Sequence, residues 1–483
     1  MKKILNTFLL STLLFTSCNK FLDVQPRSQI ELEKMFEDEI GFQDALTGVY
    51  IQMVSEDTYG QKMTQTTIEN LVSSWDVTSG SVEEKLGLFA YSDAQSDEAL
   101  SAIFSGQYKT IASVNAILNN IDERKSVFKT PGLYELIKGE ALAIRAFVHL
   151  DILRLFGPQP MNSGIGNKLA YVTEFSKSLK QHVSYEEYTN LIINDIQQAV
   201  LLLKEVDPIL HYSVEELRNQ SLNLVNGDAN SFFTFRTYRM NYFAVKSLEA
   251  RAQLWIGNID KAYSAALEIV QAKNGDGTQK FPLGQVADFA KGDYGLRNEQ
   301  MFGLYDRTKY NWFQTLYSSG LTKKGTTVTT IRTSLFGNTD SDIRLNNLWT
   351  LITLANNTKA HIINKYNVKD PSSVSIATDY NQIPILRISE MYLILSETAS
   401  FSEAKQYFQQ FRISRGLNIA DPIDEPSLKS EIVKEYRKEF YGEGQSFFVY
   451  KRNNTPSSAF LFIPKSASIN YILPLPSVEK GMQ

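Results

Sequence analysis

Residues 133 to 156, LYELIKGEALAIRAFVHLDILRLF, place Ile137, Ala141, Ile144, Val148, Ile152 and Leu155 at helical spacing, and Gly157 with Pro158 stops the run. Residues 184 to 204 repeat the pattern: Ser184 holds the N-cap position with Glu187 at the capping-box position, followed by Tyr188, Leu191, Ile192, Ile196, Val200 and Leu203. Both stretches predict helices that bury one face.

The clearest helical hairpin runs from Asn241 to Lys273. Ala244, Leu248, Ala252 and Trp255 line its first helix, Gly257 and Asn258 make the turn, and Ala262, Ala266 and Ile269 line the second. Small residues at helical spacing let two backbones approach closely, as in a tetratricopeptide-type repeat. A related pair extends from Ile385 to Gly416, with a Glu-Ala step opening its second helix. A stacked array needs about three such units, and the helices at 133–156 and 184–204 supply another pair.

Between the helical blocks the pattern breaks. Residues 274–382 carry NGDGTQ, KGDYGLRNE, SSGLTKKGTT and GNTDSD beside short apolar pieces such as QMFGLY and HIINKYNV. Trp312, Tyr294, Tyr305, Tyr310 and Tyr317 argue against disorder there. A second irregular region, 55–101, contains SSWDVTSGSVEE. The expected architecture is mainly α: a tetratricopeptide-like helical-hairpin scaffold, mostly 102–273 and 383–445, bearing an irregular loop-rich lobe, mostly 55–101 and 274–382, with a few short strands. The whole of 18–483 is read as a single domain.

The first seventeen residues read differently. Lys2 and Lys3, the apolar stretch Ile4 to Phe15, and the small polar Thr16 and Ser17 form a secretory signal whose apolar part is too short to span a bilayer. It ends at Cys18, the only cysteine of 483 residues, and resembles a bacterial lipoprotein signal in which that thiol is acylated and the chain is cut before it. The alternative is an ordinary signal followed by a free cysteine. Several acyl chains at ~0.8 kcal/mol per buried methylene give durable attachment. With its one cysteine so used, the fold forms no internal disulfide. The net charge of −4 offers no basic footprint for nucleic acid. Aromatic residues make up 12% of the chain, which suits both a packed core and the binding of amphipathic ligands.

Several segments resemble the RagB/SusD family of outer-membrane lipoproteins. CNKFLDVQP from Cys18 is similar to the family's opening, and GEALAIRAFVHLDILRLFGPQPM from Gly139 to its long helix ending in Phe-Gly and Pro. AVKSLEARAQLWIGNIDKA, NEQMFGLY, IPILRISEMYLILSETA, EYRKEFYGEGQSFFVYKR and YILPLPSVE follow in the family's order. Ser446 and Val449 depart from the Arg and Asp usual there. The resemblance implies a SusD-like protein tethered outside the cell, capping a SusC-like TonB-dependent transporter with a nutrient held between them. It implies an oligosaccharide as the first expectation and a peptide, as in the RagB-like branch, as the alternative.

The ligand face is then expected on the irregular lobe. Trp75 with Asp76 pairs an aromatic plane with an acceptor; Trp312 with Tyr310, Tyr294 beside Asp293, and Arg307 as donor follow. A pyranose needs flat apolar surface plus groups that replace its lost water hydrogen bonds. The competing reading is that Trp75 and Trp312 pack the loops onto the helices. Arg387, Glu390, Arg437, Glu439, Glu443 and Arg452 are read as interhelical ion pairs. His149, His182, His211 and His361 are widely separated with no zinc spacing, and neither a Gly-x-Ser-x-Gly elbow nor a Walker loop is present. No enzyme activity, cofactor or metal is expected, although paired carboxylates of a glycoside hydrolase could come together from any of 53 acidic residues.

Overall fold

Several helices start where a side chain can take up their free N–H groups. In α1 (Glu39–Met53) the Asp38 carboxylate accepts from Gly41 N at 2.9 Å; in α2 (Ala94–Ile121) Asp93 accepts from Gln95 N at 3.0 Å. The cap at Asp93 starts α2 inside the stretch read as loops, so the scaffold begins before residue 102. Helix α3 (Leu133–Phe156) ends at Gly157, and α4 (Tyr185–Val206) begins with Ser184 Oγ accepting from Glu187 N at 3.1 Å. The computed structural model describes residues 34–483 apart from 177, 220, 228, 328, 371–379, 418–422, 465–466, 478 and 480–483. Cys18 and the signal segment 1–17 lie outside the described residues.

The hairpins fall where the small residues place them. Asn241 caps α5 (Tyr242–Ile256), Gly257 turns the chain at φ +91°, and α6 (Ile259–Gln271) returns with Ala262, Ala266 and Ile269 buried. The second hairpin is α7 (Ile388–Thr398) with α8 (Phe401–Ser414), followed by α9 (Glu425–Glu439) and α10 (Ser446–Arg452). α2 packs on α3, α3 on α4, α4 on α5, α5 on α6, α6 on α7, and α7 on both α8 and α9, so the helices form a running array. α10 carries the scaffold beyond residue 445.

Helix α3 is buried on nearly every side, not on one face. Its polar residues therefore need fixed partners. Arg145 forms a two-pronged bond with Asp195 (2.7 and 2.8 Å), and Arg154 pairs with Asp151. His149 Nε2 accepts from Val172 N at 3.2 Å while Nδ1 meets Tyr188 Oη at 2.7 Å; burial lowers its pKa to about 3, so it stays neutral.

Two short antiparallel ladders complete the fold. β1 (Gln300–Tyr305) pairs with β4 (Gln382–Arg387), Tyr305 opposite Gln382, and β2 (Trp349–Thr353) forms a hairpin with β3 (Lys359–Ile363). Beneath β1 and β4 lies a buried ionic cluster. Glu439 accepts from Arg387 Nη1 at 2.8 Å, from Arg415 at 2.8 and 2.9 Å, and from Arg344 Nη1 at 3.2 Å. Arg387 also bonds Glu443 and Glu299, Glu390 pairs with Arg251 at 2.6 Å, and Arg452 with Glu397 at 2.8 Å. Arg437 differs from the ion-pair expectation: it donates to Ala459 O and Tyr450 Oη.

Candidate functional site

The two irregular stretches meet through Asp76. Its backbone N–H donates to Lys323 O at 2.8 Å, its Oδ2 accepts from Gly325 N at 2.8 Å, and Lys324 Nζ lies 3.3 Å from Oδ1. Those bonds make Asp76 a clasp between the loops and occupy both carboxylate oxygens.

Trp75 is only 3% exposed. Its Nε1 donates to Gln65 O at 2.7 Å, and its ring sits edge-on to Tyr317 (centroids 5.9 Å) and Tyr441 (5.3 Å). Trp312, 8% exposed, donates to Asp306 Oδ2 at 2.6 Å and packs against Tyr366 at 5.4 Å, and Tyr366 in turn meets Tyr317 at 6.1 Å. The structure thus brings the two tryptophans into one aromatic row and gives both to the interior. This corrects the expectation that their planes face a sugar: the loops need a core of their own, and large rings are its most effective filling.

The other candidates sit nearer the surface. Arg307 is exposed, Tyr310 is half-buried at the short helix Lys309–Phe313, and half-buried Tyr294 stacks on Phe289 at 6.5 Å. Asp293 beside it is buried, accepts from Arg297 N at 3.0 and 3.1 Å, and is pushed up to about 6 by burial. The six predicted residues do not converge on one pocket.

A groove of about 290 Å³ lies elsewhere, between α1, the segment 231–239 and the end of β1. Phe235, Tyr238 and Tyr305 form its half-exposed aromatic wall: Phe235 and Tyr238 stack with centroids 5.8 Å apart, and Tyr238 meets Tyr305 at 5.4 Å. Three elements hold these rings. The β1–β4 ladder delivers Tyr305. Arg236, fully buried, clamps the single turn Arg236–Tyr238 by bonding both oxygens of Asp207 at 2.9 Å and Glu140 at 2.5 Å. Tyr50 of α1 forms the floor, donating to Glu140 Oε2 at 2.6 Å and accepting from Met240 N at 2.9 Å. Phe235 adopts φ +49°, a strained conformation for a bulky residue, and its N–H donates to Leu217 O at 2.7 Å.

Sequence reasoning singled out Tyr305 only as a sign of order and missed Phe235, Tyr238 and Arg239. The available signal was FFTFRTYRM, an aromatic cluster interleaved with arginines between two helices. A larger hollow of about 480 Å³ lies on the scaffold beside the turns of both hairpins, where its Arg452 and Glu397 satisfy each other. Among the described residues no group of three or more His, Cys, Asp or Glu could hold a metal ion, and no helix is long and apolar enough to cross a membrane.

A mainly α scaffold of tetratricopeptide-like hairpins, carrying a lobe of loops and an aromatic groove, defines the class of protein. Residues 20–213 match a family described as "Starch-binding associating with outer membrane", and residues 338–466 match the SusD family; together the two spans cover more than half of the chain. The chain belongs to the SusD/RagB family. SusD-like protein P25 of Formosa agariphila is 27% identical over 214 residues, 43% of this chain and 39% of that relative, so the match spans about two fifths of the relative's length. A SusD homolog from Bacteroides thetaiotaomicron VPI-5482 superposes with a TM-score of 0.68 at 15% identity, covering 94% of this chain and 97% of that one. A laminarin-binding SusD-like protein superposes at 0.61 with 16% identity, covering 92% and 97%. At these identities the likeness to solved structures is one of fold.

Proposed function

We propose that this protein is a non-enzymatic surface lipoprotein that captures a nutrient oligosaccharide and delivers it to a SusC-like TonB-dependent outer membrane transporter. The observation that carries the reading is the wall of half-exposed rings, Phe235, Tyr238 and Tyr305, left uncovered over one groove. Apolar C–H faces of a pyranose match such rings, and three of them gathered in one concave surface suit a ligand. The family match and the laminarin-binding relative of the same fold support a glycan. Tyr294, Arg307 and Tyr310 are proposed as further contacts at the lobe surface. Acylation of Cys18 would fix the protein to the outer membrane, facing outward.

Binding of immobilised glycan and peptide pools tests the substrate. Retention of glycans, weakened by Tyr305→Ala, is the expected result; retention of peptides alone would transfer the reading to the RagB-like alternative. A glycoside hydrolase instead predicts release of reducing ends from the bound polymer, and a folded sample that yields none would dismiss it. Co-purification with a TonB-dependent transporter from outer membranes tests the partner.

A further inference from the structure

Arg239 lines the aromatic groove with its guanidinium 3.7 Å from the centroid of Phe232 and 5.4 Å from that of Tyr50. Its side chain is 13% exposed, yet it donates no hydrogen bond to any described residue, and Nη1 is fully buried. The nearest carboxylate oxygen, Glu140 Oε2, is 3.6 Å away, beyond hydrogen-bond reach. The surrounding acids are already engaged. Glu140 accepts from Arg236 and Tyr50, and Asp207 accepts from Arg236 and from Tyr242 N at 2.9 Å.

A guanidinium carries five N–H donors, and burying them unpaired costs more than forming their bonds gains. Burial lowers the pKa of Arg239 despite Glu140, so the local structure under-compensates this cation. Arg218, within electrostatic reach of Tyr238, is by contrast held: it donates Nη1 to Asn298 Oδ1 at 2.8 Å and Nη2 to Arg297 O at 3.1 Å, and only its Nε is buried without a partner. The wall therefore offers aromatic planes beside one guanidinium, that of Arg239, which its own described neighbours leave without a hydrogen bond.

We infer that this groove takes an acidic oligosaccharide, with a ring stacked on Tyr238 or Tyr305 and a carboxylate or sulfate substituent received by Arg239. Equatorial carboxylates and sulfates project from the edge of a pyranose, so one residue can satisfy ring and cation together, and a planar guanidinium matches either anion with paired hydrogen bonds. The inference rests on the glycan-capture reading and narrows it to charged glycans.

Calorimetry on the purified protein with size-matched oligosaccharides of alginate or polygalacturonate, of a sulfated galactan, and of neutral laminarin tests it. Binding of at least one acidic series about tenfold or more tighter than laminarin is expected, weakening as NaCl rises from about 50 to about 500 mM. The acidic series that binds tells carboxylate from sulfate. Arg239→Gln should abolish the preference for the acidic series, and Arg239→Lys should restore part of it. Equal affinity for acidic and neutral glycans, insensitive to salt and to Arg239→Gln, would overturn the inference and leave glycan capture standing. Failure of a verified folded protein to bind any of the series would overturn both. If Arg239→Gln does not fold, the acid-to-neutral ratio and salt dependence of the unmodified protein decide by the same criteria.

Discussion

Trp75 meets Tyr441 edge to face, ring centroids 5.3 Å apart at 73°, and so pins the irregular lobe to the segment that follows α9. Tyr441 Oη returns a hydrogen bond to Ser74 O, and Gly442, at φ +76°, passes under the indole. Trp75→Ala removes the ring at the centre of the aromatic row and should cost about 3–5 kcal/mol. Urea denaturation measures it. A variant as stable as the parent but unable to hold glycan would return Trp75 to the ligand site.

The groove rings should behave in the opposite way. Tyr238 and Tyr305 are only half-buried, so replacing either by Ala should lower the denaturation midpoint much less than Trp75→Ala does. Each ring contributes about 0.5–1.5 kcal/mol of stacking, so affinity for the bound glycan should fall about two- to thirteenfold per substitution. Calorimetry beside thermal melts separates the two effects.

The contrast between Trp75 and Tyr305 shows what the chain made legible. Helices α3 to α8 could be read because their apolar residues repeat at a fixed spacing, and α4 and α5 also because Ser184 and Asn241 cap them locally. The lobe obeys no such period. A tryptophan in a Ser/Gly-rich loop is compatible with a ligand face and with a loop core. The choice turns on Tyr317 and Tyr441, far away in sequence, which close around Trp75. The groove was illegible for the same reason. Tyr50, Tyr238 and Tyr305 come from three distant segments, brought together by the clamp of Arg236 on Glu140 and Asp207 and by the β1–β4 ladder.

Acidity should reveal Glu69. This fully buried carboxyl joins the lobe to the C-terminal segment, accepting from Ser74 Oγ and from Gly444 N at 2.8 Å, and burial raises its pKa to about 7. A folded-state pKa above the unfolded value near 4.5 gives stability that is complete below pH 4.5 and is lost as the pH rises through 7. The full loss is about 3 kcal/mol. Glu69→Gln cannot ionise and keeps an acceptor for Gly444, so its melting temperature should fall less than the parent's between pH 5 and 8, the remaining fall coming from buried Asp293. Parallel pH profiles would refute the assignment.

Glu439 works with the opposite sign. Burial alone would raise its pKa, but Arg415, Arg387 and Arg344 hold it well below the usual carboxylate range, and Arg344 does the same for Glu435, which lies at about 2. Depressed acids stabilise the fold above pH 4.5 and lose that contribution as the pH falls through their folded values. The parent should therefore unfold in acid, between about pH 4 and 2. Glu439→Gln retains the shape but turns an amide N–H₂ toward guanidinium donors and leaves buried positive charge under-compensated, at a cost of about 3–5 kcal/mol at neutral pH. Its stability should also depend less on acid than the parent's, because the group that titrates is gone. Since Arg387 and Glu299 anchor facing ends of β4 and β1, the loss should open the ladder that presents Tyr305. Faster hydrogen exchange at β1 in Glu439→Gln, with α5 and α6 unaffected, would show that the ionic cluster positions the groove. Exchange rising uniformly across the chain would show that it only adds global stability.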